Sequence, residues 1–171
     1  MKRRWLLVAS VASLALPATG AEVDGRDGRF DDDLFVHLEG DWLLTRQIAG
    51  RPQVQNTVTA SWVLQHQFLL VRMRDTETPA RYEADVYIGY SNATGQYVAH
   101  WLDNFGGGFS AMGRGTRAGL SVEFRFEYPD GPFFNTFTWD PESDRWRCHL
   151  ESVGRDGARR TFARDTLVRP R

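Results

Sequence analysis

From Gly40 onward the chain is interrupted at short, regular intervals by turn-forming residues: AGRPQ, LQHQ, DTETPAR, SNATG, NFGGG, GTRAG, YPDGP, DPESD and GRDGA. The runs between these breaks number about ten, each long enough for one strand, and none carries the longer apolar period of a crossover helix. Parallel strands need such crossovers, so the pattern requires an all-β fold of antiparallel hairpins. An up-and-down barrel or a sandwich satisfies it.

Because side chains alternate faces, the turns also predict what points inward. A two-residue turn at Gln65-His66 sets Trp62 opposite Leu69 and Ala60 opposite Val71. The next hairpin keeps that face with Ala84, Val86 and Ile88, and puts Arg72 opposite Asp85 and Arg74 opposite Glu83 on the outside. Opposite charges facing each other across strands are the signature of a correct register. An Asp130-Gly131 turn would pair Phe126 with Asn135 and Phe124 with Phe137. It sends Leu120, Val122, Phe124 and Phe126 inward, together with Phe133, Asn135, Phe137 and Trp139.

The segment GYSNATGQYVAHWLDNFGG gathers aromatics, a histidine and an aspartate around one turn, Asn92 to Gly95. That loop length sets Tyr90 against Tyr97 and Val86 against Trp101, with Asp103 inward and Val98, His100 and Leu102 outward. With Gly40-Asp41-Trp42 at the start of the first strand, this segment resembles a bacterial domain-of-unknown-function family with lipocalin-like (calycin) barrels. That family shows GxW, then GYD and YxxxWxD; here Ser91 stands where its aspartate does. The resemblance spans about residues 34–169 and implies an antiparallel up-and-down barrel. It implies that a late arginine, Arg169 or as second choice Arg164, packs over Trp42 as a structural pair. It implies no established chemistry.

Before the barrel domain, 34–171, two segments read differently. Residues 1–21 combine Lys2, Arg3 and Arg4 with an apolar run from Trp5 to Leu16 and small residues at Ala18, Gly20 and Ala21. This is the pattern of a signal peptide cleaved after Gly20 or Ala21, and predicts a periplasmic or secreted protein. The apolar run is short of the roughly 20 residues that span a bilayer, and no later run is longer. Residues 22–33 are glycine- and aspartate-rich, as in a flexible leader that ends in a helix cap at Asp31 to Asp33, and a short helix should follow through Phe35 and Leu38.

Losing the signal makes the formal charge of −1 more negative by three, which argues against nucleic acid as a partner. The single cysteine, Cys148, reads as a small buried hydrophobe, and no HxH or CxxC spacing suggests a metal. No cofactor is expected. Haem would need an inward histidine, and only His100 is a candidate. No G-x-S-x-G or phosphate loop is present.

What remains is an inward set that is mostly aromatic. Trp62, Tyr90, Tyr97, Trp101 and Trp139 are expected to line one cavity, with Arg46, Asp103 and Asn135 as its polar anchors. Such a lining suits a small apolar or amphipathic ligand, with Arg46 receiving an anionic head. Two alternatives stand beside it. Asp103 and Tyr97 would form an acid–base pair in an isomerase or hydrolase. Or the aromatics fill the barrel, Arg46 pairs with Asp103, and a surface around Val98, Leu102 and Phe134 makes protein contacts.

Overall fold

The computed structural model describes residues 29–171. The signal peptide and residues 22–28 of the leader lie outside the described residues. Ten antiparallel strands close into one barrel, each paired with its neighbours in sequence and the last with the first. They are β1 (Gly40–Ile48), β2 (Val54–Val63), β3 (Phe68–Asp75), β4 (Glu83–Ser91), β5 (Gln96–Asp103), β6 (Ala111–Ala118), β7 (Ser121–Tyr128), β8 (Gly131–Asp140), β9 (Arg145–Val153) and β10 (Arg159–Val168). One-turn 3-10 helices cover Phe35–Leu38 and Gly107–Phe109.

The alternation that the turns predict is the alternation of the barrel wall. Trp62 pairs with Leu69 and Ala60 with Val71. Tyr90 pairs with Tyr97 and Val86 with Trp101. Arg72 and Asp85 face each other outside at 3.7 Å, and Arg74 and Glu83 at 2.8 Å. The Gln65-His66 turn is wider than expected, since pairing stops at Val63 and Phe68, but the register is unchanged.

The β7–β8 hairpin differs. Its turn is Pro129-Asp130, with Tyr128 paired to Gly131, so Phe126 meets Phe133 and Phe124 meets Asn135. Gly131 takes φ +128°, which ends the turn one residue earlier than an Asp130-Gly131 turn would. The slip is two residues, so every side chain keeps its face. Leu120 is also corrected: it is exposed in the turn between Ala118 and Ser121.

One end of the barrel is stoppered by the residues before β1. Phe30, Leu34, Phe35 and Leu38 are buried in the core. Phe35 stacks on Trp146 at 5.8 Å, and Phe30 meets Trp62 edge-on at 5.5 Å. Residues 29–33 therefore belong to the packed structure, because Phe30 gives them an apolar anchor. Leu34, at the N-terminal boundary of the short helix, has no capping side chain of its own, and an aspartate of the 31–33 stretch does that work. Asp32 accepts the Leu34 and Phe35 amides through Oδ1 and the Tyr97 hydroxyl through Oδ2 at 2.6 Å, which also fastens the stopper to β5.

Trp42 sits beneath this stopper. Its Nε1 donates to the Leu38 carbonyl at 2.7 Å, and the Arg169 guanidinium lies 3.6 Å above its ring. Arg169 in turn donates to the Glu39 and His37 carbonyls. Gly40 has φ +107°, and a Cβ there would meet Arg169 Nη1 at 2.7 Å. A glycine two residues before the tryptophan thus makes room for the arginine that covers it. We expect Trp42→Ala to cost about 3–5 kcal/mol, as for other buried large aromatics. Arg169→Ala should cost about 1 kcal/mol, the scale of a partly exposed cation–π contact. Denaturant unfolding of the two variants checks both values.

Candidate functional site

Opposite the stopper, the loops 49–53, 76–82, 104–110, 129–130 and 154–158 surround an open mouth. Beneath it lies a cavity of about 1040 Å³. Its deeper lining includes Arg46, Trp101, Phe126, Asn135 and Leu150; Ile48, Tyr82, Asp103 and Tyr128, at or beside the strand ends, stand nearer the mouth. Phe105 and Phe109, 66% and 52% exposed, form part of the rim.

The eight residues expected around one cavity divide. Arg46, Trp101, Asp103 and Asn135 line this one. Tyr90 and Tyr97 line a separate recess of about 590 Å³ at the stoppered end, with Asp32 and Arg117. Trp62 stacks on His66 at 4.0 Å, and Trp139 lies against Trp42 and Trp146. The cause is height. Residues on one face of a strand share the interior but not the level, and six residues of extended chain separate their ends by about 20 Å. Tyr97 and Asp103 stand at opposite ends of β5 and make no acid–base pair. A shared face is not a shared site.

Arg46 has a different partner from the one expected. Its Nε and Nη2 donate to the two Asp165 oxygens at 2.8 and 2.7 Å, and the residues are only 7% and 3% exposed. The two stand opposite each other in the β1–β10 register, whereas Asp103 is on the far wall. Burial opposes the guanidinium charge, but the hydrogen bonds and charge of Asp165 outweigh it and hold Arg46 above its ordinary value. Its plane also approaches the Tyr82 ring, 5.4 Å from the centroid. Asp165 is not among the expected site residues; the signal for it is its place at period two between Ala163 and Leu167 on an apolar face.

Three further polar groups of this wall are Tyr82, Asp103 and Asn135. Tyr82 takes the Trp101 Nε1–H at 3.0 Å, and burial raises its hydroxyl despite Arg46. Asp103 Oδ1 accepts the Phe105 amide, and burial lifts its carboxyl above the ordinary range. Asn135, 2% exposed, has an Oδ1 with no hydrogen-bond partner among the described residues.

Histidine is not part of this lining. His100 points outward, opposite Tyr87, and its Nε2 lies 3.1 Å from Ser110 Oγ. Among the described residues no group of three or more His, Cys, Asp or Glu could hold a metal. No described helix is long and apolar enough to cross a membrane. Of the expected contact surface, Phe134 is covered by Arg159, whose guanidinium lies 3.4 Å from the ring centroid.

No protein-family model matches the chain, and no curated protein does. Among solved structures it is similar to Rv2717c from M. tuberculosis, with a TM-score of 0.54 and 12% identity over 82% of this chain and 99% of that one. It is also similar, at TM-score 0.40 and 13% identity, to a redesigned β-barrel, over 81% of this chain and 96% of that one. The first likeness, with the topology, defines the class: a closed antiparallel ten-stranded barrel.

Two predictions follow from this geometry. Asp165→Ala leaves a buried guanidinium unpaired and should cost about 3–5 kcal/mol, while Arg46→Met/Asp165→Leu should recover most of that. Urea unfolding of the three proteins tests this. The second concerns alkaline pH. Burial and then the Asp32 hydrogen bond push Tyr97 up to about 12, and burial followed by the Asp103 charge does the same for Tyr128. The folded chain thus holds these protons more tightly than the unfolded one. Their stabilisation is complete below the ordinary value of 10.0 and is lost as pH rises through about 12. Tyrosinate absorbance of the native protein should therefore show a late fraction that disappears in denaturant.

Proposed function

We propose that this chain is an exported barrel that binds a small apolar or amphipathic molecule in its open-ended cavity. The observation that carries this reading is Asn135, whose buried oxygen lacks a partner in the wall of that cavity. Buried polar atoms in folded proteins are nearly always satisfied, by protein, water or ligand. The volume lies at the upper end of the range for small-molecule sites, and aromatic and aliphatic walls with a few polar groups are their usual lining. The paired GxW and YxxxWxD motifs support membership of the lipocalin-like family they resemble. The basic start and apolar run of residues 1–21 support export to the periplasm or beyond.

The test uses tryptophan emission. Trp101 lines the cavity, whereas Trp42, Trp62, Trp139 and Trp146 do not. Fatty alcohols or hydrophobic fluorophores should quench the emission of the folded protein. Trp101→Phe should remove most of the quench, and Trp62→Phe and Trp139→Phe should keep it. Quenching that survives Trp101→Phe would place the ligand elsewhere.

A further inference from the structure

We infer that the polar end of the ligand is a cation, so that the cavity selects an amphiphilic amine in its ammonium form. This rests on the small-molecule reading above and goes beyond it by naming the head group. The one guanidinium deep in the cavity, Arg46, is already held by Asp165 in a two-point ion pair and is not available for an anion. Among lining residues plus Asp165, five carboxylates (Asp75, Glu77, Asp103, Asp130 and Asp165) face three guanidiniums (Arg46, Arg51 and Arg81). Arg81 is in turn held by Glu77 at 2.7 Å. The balance is acidic.

The wall beside Asp103 is built to receive positive charge. Trp101 on β5 meets Phe126 on β7 edge-on at 6.3 Å, and Phe126 stacks with Tyr128 at 6.1 Å and 14°. Asp103 follows Trp101 by two residues on the same face of β5, and among the described residues no arginine or histidine forms a salt bridge with it. The Trp101 N–H is spent on Tyr82, so its indole offers the cavity a π face and no donor. An ammonium at this wall gains a carboxylate and aromatic faces together, and its apolar tail runs inward along Phe126 and Leu150. A carboxylate head would meet Asp103 with Arg46 and Arg81 already paired, which leaves of the lining guanidiniums only Arg51, exposed on the 49–53 loop.

Octylammonium, octanol and octanoate, matched in tail, separate the alternatives when titrated against the Trp101 emission of the whole mature protein. Octylammonium should bind at least about tenfold more tightly than octanoate and more tightly than octanol. Asp103→Asn keeps the oxygen that accepts the Phe105 amide, and should lower octylammonium affinity to near that of octanol while leaving octanol unchanged. Octanoate binding as well as or better than octylammonium would overturn the cation assignment and leave the pocket standing. So would equal affinity for octylammonium and octanol, or a full ammonium preference in Asp103→Asn. If none of the three perturbs Trp101 in folded protein, the pocket reading fails and this inference with it.

Discussion

Everything in this barrel depends on the seam where β1 meets β10, because an up-and-down sheet closes only if its first and last strands pair. The six residue pairs from Leu43–Val168 to Ile48–Ala163 make that closure. Closure leaves no edge strand to cover, which in a sheet of this size is otherwise an aggregation hazard. Two arginine contacts mark the seam at different heights. Near the stoppered end, Arg169 lies over Trp42 and ties the end of the chain to the carbonyls before β1. Near the open end, Arg46 and Asp165 neutralise each other across the seam. A buried ion pair of this kind is weak evidence for net stability, since desolvation offsets much of its attraction. Its effect on register is plainer: a two-residue slip of β10 against β1 would leave both charges buried and apart.

Closure also creates a volume to be filled. About eight strands give an interior that side chains can just fill, and ten enclose more. Here the excess is treated differently at the two ends. The residues before β1 bring Phe30, Leu34, Phe35 and Leu38 into one end, where Phe35 touches rings from several strands. Among the described residues nothing comparable enters the other end, where the loops carry Phe105, Phe109 and several charged groups at the rim. The chain's polarity through the barrel is thus apolar plug below and open mouth above. The aspartates of the leader serve the plug, with Asp32 holding Tyr97 and Asp33 paired with Arg117.

How much of this was legible in the sequence follows from what alternation can and cannot say. Period-two patterning with turn lengths distinguishes inside from outside, and so recovered the pairings around Trp62, Val86 and Tyr90. Even the β7–β8 hairpin, misjudged at its turn, kept its inward set because the slip was an even number of residues. Alternation by itself is silent on height along the barrel axis, but for Tyr97 and Asp103 the height is legible too: six residues on one strand separate them by about 20 Å. Alternation is also silent on which strand lies across from which, so the partner of Arg46 could not be read. The GxW motif was more informative because its geometry is local: glycine, tryptophan and the preceding turn lie within a few residues.

One further feature connects composition to the shape of the cavity. On β6, Gly113 and Gly115 alternate on the inner face, and neither has a side chain to put there. A Cβ at Gly113 would lie 2.6 Å from Phe126, and one at Gly115 would lie 2.7 Å from Phe124. The rings of β7 therefore lie across the bare backbone of β6 instead of projecting into the barrel. Had β6 carried ordinary apolar residues, its own side chains and the displaced rings would both have moved toward the axis. The two glycines let Phe126 reach the neighbourhood of Trp101 on β5, which pairs two strands away. They thereby join aromatics of β5 and β7 into one surface across the bare β6 while leaving the space in front of it open. The run MGRGT looks like a weak strand by propensity, but in this barrel it is the thin part of the wall against which the cavity is built.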